Sequence, residues 1–253
     1  MSISNLFKPV SLVSVAGSLL FAVALSAGAD AGESLVLESG REKATLVELF
    51  TSQGCSSCPP AERWLGRLED DPRLWKEVVP VAFHVDYWDY IGWRDIYAAP
   101  SHSARQRTYH NQNAIRSVYT PGFVVNGKEW RGWFRNQSLP ESGGRAGQLR
   151  VEVDGTRLRA TFDAGQQTEQ NTVLNIALMG VGMEIDVEHG ENSGRRLSQD
   201  FTVLKHITIG SDRGNWETSL PDVDLPADSR RAIAVWVSGQ GSQQPLQVVG
   251  GWL

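Results

Sequence analysis

Cysteine is nearly absent from this chain. Among 253 residues there are two, Cys55 and Cys58, separated by two positions. So few cysteines exclude a disulfide scaffold. An apolar core must hold the fold, and 41% hydrophobic residues can build one. No Lys/Arg-rich block occurs, and the formal net charge is −5, which argues against nucleic acid as a partner. Beyond the N-terminus no apolar run is long enough to span a membrane. Phosphate-binding glycine loops and Ser/His/Asp signatures are absent. There is no second C-x-x-C and no H-x-x-x-H, so the spacing is silent on a metal.

The first residues, "MSISNLFKPVSLVSVAGSLLFAVALSAGADAGES", carry Lys8, an apolar run of about 16 residues and then Ala27, Gly28 and Ala29 as an A-x-A cleavage site. The run falls short of the roughly 20 residues that span a bilayer. Residues 1–29 are therefore expected to be a signal peptide, cut before Asp30. The mature chain of about 224 residues is expected to be exported, periplasmic or secreted, without stable membrane insertion. Disulfides persist in such a space. It has room for two modest domains.

A short β-favouring run, "TLVELF" (residues 45–50), precedes a loop that ends at Cys55. Ala61, Trp64, Leu65 and Leu68 recur at helical spacing, which predicts a helix over residues 59–69. "VVPVAFHVDYW" (78–88) predicts a second strand. A polar and aromatic insert follows, with a helix expected over 103–118. "TPGFVV" and "NGKEWRGW" predict a hairpin around Asn126 and Gly127, a preferred pair for a type I′ turn. "RNQSLPESGGRAGQ" (135–148) reads as a linker. Residues 149–253 show short alternating strands with turns, as in an antiparallel β-sandwich.

Three roles are open to a cysteine pair: redox dithiol, metal ligands or structural staple. The stabilisation from a disulfide grows with the logarithm of loop length, and for a four-residue loop it is only about 2 kcal/mol. Such a pair is a poor staple and a good redox couple. Its place, after a strand and before a helix, is where unpaired N–H groups and the helix dipole stabilise a thiolate. Pro59 and Pro60 fit a first helical turn, where a missing N–H costs nothing. Thr120 and Pro121 lead into the hairpin. A proline at the start of a buried strand suggests a cis bond, with an ordinary trans proline as the alternative.

These residues resemble the thioredoxin superfamily. "VELFTSQGCSSC" is similar to its strand, loop and dithiol, "VAFHVD" to its third strand, and "YTPGFVVNGKEWRGW" to its cis-proline and following hairpin. More narrowly, "FTSQGCSSCPPA", "HVDYWDYIGW", "TPGFVVNG" and "GENSGRRLS" resemble an exported thioredoxin-like family catalogued as domain of unknown function 1223. The resemblance, over residues 44–133, implies an α/β thioredoxin-like domain at 30–134, ahead of the linker at 135–148 and the β-sandwich domain at 149–253 that composition and strand spacing suggest. It also implies thiol–disulfide exchange with a protein or small-molecule thiol, and no cofactor. Cys55 would attack, Cys58 would resolve, and Pro121 would shape the docking surface. In thioredoxin-like enzymes a buried acid usually lies six residues before the first cysteine. Leu49 holds that position here, and Glu48, one residue earlier, is the candidate proton acceptor.

Other residues carry weaker readings. His84 or Asp86 could neighbour the dithiol as acid, base or ligand, or simply be hydrogen-bonded at a strand end. "DYWDYIGWRD" concentrates aromatics with Asp86, Asp89 and Asp95, as a substrate groove, a lid or core would. Arg105, Arg107 and His110 share a helix face that solvent would suit. Gly190, Glu191 and Asn192 read as a turn between strands, or as a contact between the two halves. The reading overall is an exported thiol–disulfide oxidoreductase. The alternative is a copper or zinc chaperone, with His84 and His110 as added ligands, or a non-catalytic binding module.

Overall fold

The expected α/β thioredoxin-like domain followed by an antiparallel β-sandwich is not what the chain forms. In a computed structural model that describes residues 1, 34–165, 171–211 and 213–253, strands dominate. Fourteen strands and two α-helices occur among the described residues. The strands of both halves join in one eight-stranded mixed sheet, so the fold is mostly β and its central sheet crosses the expected linker. Residues 32–253 form one compact unit. The signal peptide expected at 1–29 lies, apart from Met1, outside the described residues.

The strands are β1 (Leu35–Glu38), β2 (Thr45–Thr51), β3 (Val78–His84), β4 (Gly122–Val125), β5 (Lys128–Glu129), β6 (Gln148–Asp154), β7 (Arg157–Asp163), β8 (Thr172–Val181), β9 (Met183–Val187), β10 (Arg195–Gln199), β11 (Thr202–Ser211), β12 (Asn215–Ser219), β13 (Arg230–Gly239) and β14 (Pro245–Trp252). The helices are α1 (Pro59–Gly66) and α2 (Pro100–Asn111). The large sheet runs β14-β13-β8-β11-β3-β2-β4-β5. β2 and β3 are parallel, and β4 is antiparallel to β2. β11 joins β3 at one residue pair, Thr202 with Ala82, where Ala82 N donates to Phe201 O at 2.8 Å.

Alternation along β8 and β13 builds two cores, because successive side chains leave opposite sheet faces. Ala177, Met179 and Val181 of β8, with Ala232, Ala234 and Trp236 of β13, join Phe50, Phe83 and Tyr109. Leu174, Ile176, Leu178, Ile233, Val235 and Val237 point the other way, onto Leu149, Val151, Leu158 and Trp216. Those last residues belong to a four-stranded sheet, β1-β6-β7-β12. Full burial of each such aliphatic side chain contributes about 1.5–3 kcal/mol. A fold this poor in helix can cover its sheet because a second sheet, not a closing helix, lies on one face.

Several local expectations map onto elements. Asn126 and Gly127 both adopt positive φ, 49° and 81°, at the tight β4–β5 turn. α1 begins at Pro59, with two prolines in its first turn, and tightens into a 3-10 turn at Arg67–Asp70. α2 lies earlier than its expected 103–118. Pro100 starts it, and Asn113, at φ 58°, lies just beyond its end. Residues 135–148 are pinned to the sheet: Ser142 Oγ pairs with Thr45 Oγ1 and accepts Asn126 Nδ2 at 2.7 Å.

Candidate functional site

β2 ends at Thr51, and the loop Ser52, Gln53, Gly54 carries the chain to Cys55. Short turns set its course: Cys55 N donates to Ser52 O, and Cys58 N to Cys55 O. Cys58 opens α1, its carbonyl accepting from Ala61 N at 2.9 Å and Glu62 N at 3.1 Å. Cys55 and Cys58 form a disulfide, with their Cα atoms 5.4 Å apart. The expected strand-to-helix position is therefore occupied. Cys55 is enclosed as fully as Cys58, both 0% exposed. Ser57 Oγ lies 3.4 Å from Cys55 Sγ, close enough for its hydroxyl to donate to the sulfur.

The loop's cover comes from two distant segments. A Cβ added to Gly54 would meet Trp88 Cβ at 3.2 Å and Ile91 Cδ1 at 3.3 Å. The same Ile91, with Trp93, lies against Gly190 in the β9–β10 turn. That turn reaches the dithiol loop directly. Asn192, 0% exposed, donates from Nδ2 to Gln53 O and Cys55 O. Arg195 Nη1 donates to Asn192 Oδ1 at 2.7 Å, fixing the amide's orientation. Ser56 N donates to Glu191 Oε2 at 3.2 Å. The geometry matches both readings of these residues, a turn between β9 and β10 that also contacts the dithiol loop. Asn192 carried no local signal beyond its place between glycines.

Beneath the loop lies a set of buried titratable groups. His84 Nδ1 and Asp95 Oδ2 are 2.6 Å apart, each side chain 1% exposed. Gln53 N donates to the same Asp95 oxygen at 2.8 Å, so the dyad also holds the loop. Burial works against a charge on His84, yet Asp95 beside it, with Glu62, holds the imidazole above its ordinary pKa. Burial likewise opposes the Asp95 carboxylate, but His84 and the N–H donors keep its pKa low. Glu62 follows Cys58 by one helical turn and accepts from Thr51 Oγ1 at 2.6 Å. Burial pushes its carboxyl up, and His84 pulls it partly back. Sequence reading passed over Glu62. The available signal was its position four residues after Cys58, on the same helix face.

Glu48 is placed differently. It is 0% exposed in the middle of β2, and its two oxygens accept Arg105 Nε, at 2.7 Å, and Tyr109 OH. Arg105 and Tyr109 come from α2, and the guanidinium stacks over the rings of Phe83, Tyr109 and Trp236. The Glu48 carboxylate is thus engaged by an ion pair with α2. Arg105 faces this buried cluster rather than solvent. His110 stands in the last turn of α2, its Nδ1 3.3 Å from Ile115 O. Asp86 accepts from Ser103 Oγ at 2.5 Å.

Pro121 precedes β4, whose Gly122 pairs with Phe50 next to the end of β2. It therefore lies at the sheet end from which the dithiol loop departs. The Thr120-Pro121 bond is cis. Thr120 Oγ1 accepts from Trp88 Nε1 at 2.7 Å, tying this corner to the segment that covers Gly54. Sequence order and topology thus bring Cys55, Cys58 and Pro121 to one end of the sheet, with Glu48 further along β2.

Among solved structures, a crystal structure of an Agrobacterium tumefaciens protein is similar at 24% identity and a TM-score of 0.57, covering 85% of this chain and 96% of that one. HBP35 of Porphyromonas gingivalis is similar at 16% identity and a TM-score of 0.52, covering 85% and 76%. At these identities the likeness is one of fold alone. No curated protein matches the chain. The family described as protein of unknown function (DUF1223) matches residues 46–238, most of the chain and the whole of the site, and the chain belongs to that family.

Proposed function

We propose that this chain is an exported thiol–disulfide oxidoreductase acting through Cys55 and Cys58. The observation that carries the reading is the place of the pair: a disulfide closed between a strand end and a helix start, with a hydroxyl donor at the Cys55 sulfur. Such a position favours the thiolate that exchange chemistry needs. The order of dithiol, strand and proline at one sheet end supports a likeness of the site to the thioredoxin superfamily.

In the oxidising direction, a substrate thiolate attacks the Cys55 sulfur. The Cys55–Cys58 bond breaks, and Cys58 leaves as a thiolate that takes up a proton. A second substrate thiolate then attacks the substrate sulfur of the mixed disulfide, releasing Cys55. The substrate dithiol loses two electrons and the protein gains them. The reverse sequence begins with the Cys55 thiolate attacking a substrate disulfide, and Cys58 then resolves the mixed disulfide. Glu62, one turn from Cys58, suits the exchange of that proton better than Glu48, which Arg105 engages. Because both sulfurs are buried, a protein or small-molecule thiol reaches Cys55 only when its cover moves.

Incubation of a Cys58→Ser variant with periplasmic or culture-fluid extract tests this reading. Mixed disulfides that are released by reductant and absent from a Cys55→Ser control are the expected result. No adduct, together with about one copper or zinc per reduced chain, would overturn it in favour of a metal chaperone.

A further inference from the structure

Between α2 and the sheet lies a cleft of about 450 Å³, within the roughly 300–1,000 Å³ usual for small-ligand sites. Its floor is a continuation of the core face of β8, β11 and β13. Trp236, Asn175 and Thr208 form one cross-strand row, and Ala234, Ala177 and His206 the next. The face therefore changes from apolar to polar as it leaves the cover of α2.

The polar groups there are enclosed but poorly matched. Asn175 and Ser238 are each 3% exposed. Among the described residues the Asn175 amide has two bonds, both 3.4 Å long, to Val173 O and Ser238 Oγ. Buried amides ordinarily find better partners. His206 stacks on Trp236, and its Nε2 is buried without a partner among the described residues. A neutral imidazole carries a single N–H, and an acceptor bound in the cleft would set which ring nitrogen bears it. Burial and the nearby Arg105 hold this imidazole neutral. At the cleft wall Arg105 Nη1 donates to Gln243 Oε1 at 2.5 Å, an amide on an exposed turn that a better acceptor could displace.

Among the described residues no Asp or Glu lines the cleft. It presents a guanidinium, an amide, an imidazole N–H and several hydroxyls. Glu48 behind Arg105 already balances one unit of charge, so a singly charged head suits the site better than a dianion. We propose that the cleft between α2 and strands β8, β11 and β13 binds a small monocarboxylate, with Arg105, Asn175 and His206 as its donors. This site is separate from the dithiol and does not rest on its chemistry.

Calorimetric titration of the mature chain with acetate, L-lactate and gluconate tests the proposal. Each is compared with its neutral analogue, acetamide, lactamide or glucose, at constant ionic strength. At least one carboxylate should bind at one site with a Kd below about 10 mM. Its neutral analogue, and the variants His206→Phe and Asn175→Leu, should bind at least about tenfold more weakly. No carboxylate saturating in that range would overturn the proposal. So would a neutral analogue that binds equally well. The analogue comparison uses the unaltered protein, so it holds even where a variant fails to fold.

Discussion

Asn192 Nδ2 donates at once to Gln53 O, at 2.9 Å, and to Cys55 O, at 3.0 Å, from a turn 137 positions beyond Cys55. A buried carbonyl needs a partner, and both of these belong to residues that are fully enclosed. The β9–β10 hairpin is thereby part of the dithiol loop's support. Asn192→Ala should lower unfolding stability by about 2–4 kcal/mol, for two carbonyls left bare. Urea unfolding measures it. A loss no larger than that of an exposed-site control such as Ser138→Ala would show that the turn does not hold the loop.

Ser57 is the neighbour that touches the reacting sulfur. Its hydroxyl favours a thiolate on Cys55 once the disulfide is reduced. Ser57→Ala should slow alkylation of Cys55 in the reduced protein by about two- to tenfold near pH 7, and move the alkylation profile toward higher pH. Mass spectrometry after a timed iodoacetamide pulse separates Cys55 from Cys58. An unchanged profile, or faster labelling of Cys58, would remove the roles assigned to Ser57 and Cys55.

Much of the site was legible because its signals are local. Pro59 and Pro60 mark a helix start, Asn126 and Gly127 a tight turn, and β-rich runs mark β2 and β3. The rest depends on tertiary choice. The sheet crosses from β3 to β11 through a single residue pair, which leaves no trace in either strand's pattern. β1 is only four residues long, Leu35–Glu38, too short for its pattern to announce a strand. Glu62 resembles an ordinary surface glutamate in "PPAERW", and only burial against Thr51 changes its character. The limits of α2 leave little local trace, because an aromatic, polar stretch has weak periodicity. Its limits come from Pro100 and from the left-handed Asn113.

His102 gives a pH dependence with a definite sign. The ring is 3% exposed, and burial holds its pKa down at about 4. Its Nδ1 lies 2.9 Å from His84 O, the bond of a neutral ring donating. The unfolded state, near 6.5, takes up the proton first as pH falls. The stability contributed by neutral His102 is thus full above pH 6.5 and lost as pH falls toward 4, by about 3 kcal/mol. His84 has the opposite sign. Its contribution is present below about 6.5 and lost as pH rises through its raised value. Urea midpoints of wild type and His102→Gln between pH 4 and 7 check this. The two curves should converge toward pH 4, and parallel curves would refute the assignment.

The Glu48–Arg105 pair should behave as a unit. Arg105→Met leaves a carboxylate buried in β2 without its counter-charge, at a cost of about 3–5 kcal/mol. Adding Glu48→Leu removes that charge, and the double variant should recover much of the loss. A double-mutant cycle by chemical unfolding reads the coupling. Strict additivity would mean that the stacking of Arg105 on Phe83, Tyr109 and Trp236 matters more than its charge.

The first half of the chain should not stand alone. In residues 30–136, β3 would lose its neighbour β11, and Ala82 N its acceptor, Phe201 O. The core around Phe50 and Phe83 would lose Ala177, Met179, Val203, Trp236 and others that close it. At about 1.5–3 kcal/mol for each large side chain, that deficit exceeds the usual margin of about 5–15 kcal/mol. The dithiol loop would lose Asn192 as well. An uncovered sheet face and an open β3 edge invite association. Expressed alone, the fragment should aggregate or remain unfolded, by size-exclusion chromatography and circular dichroism. A monomeric fragment that melts cooperatively and exchanges disulfides at the rate of the whole chain would show that the shared sheet is not required. The second half would then be dispensable for the dithiol's chemistry.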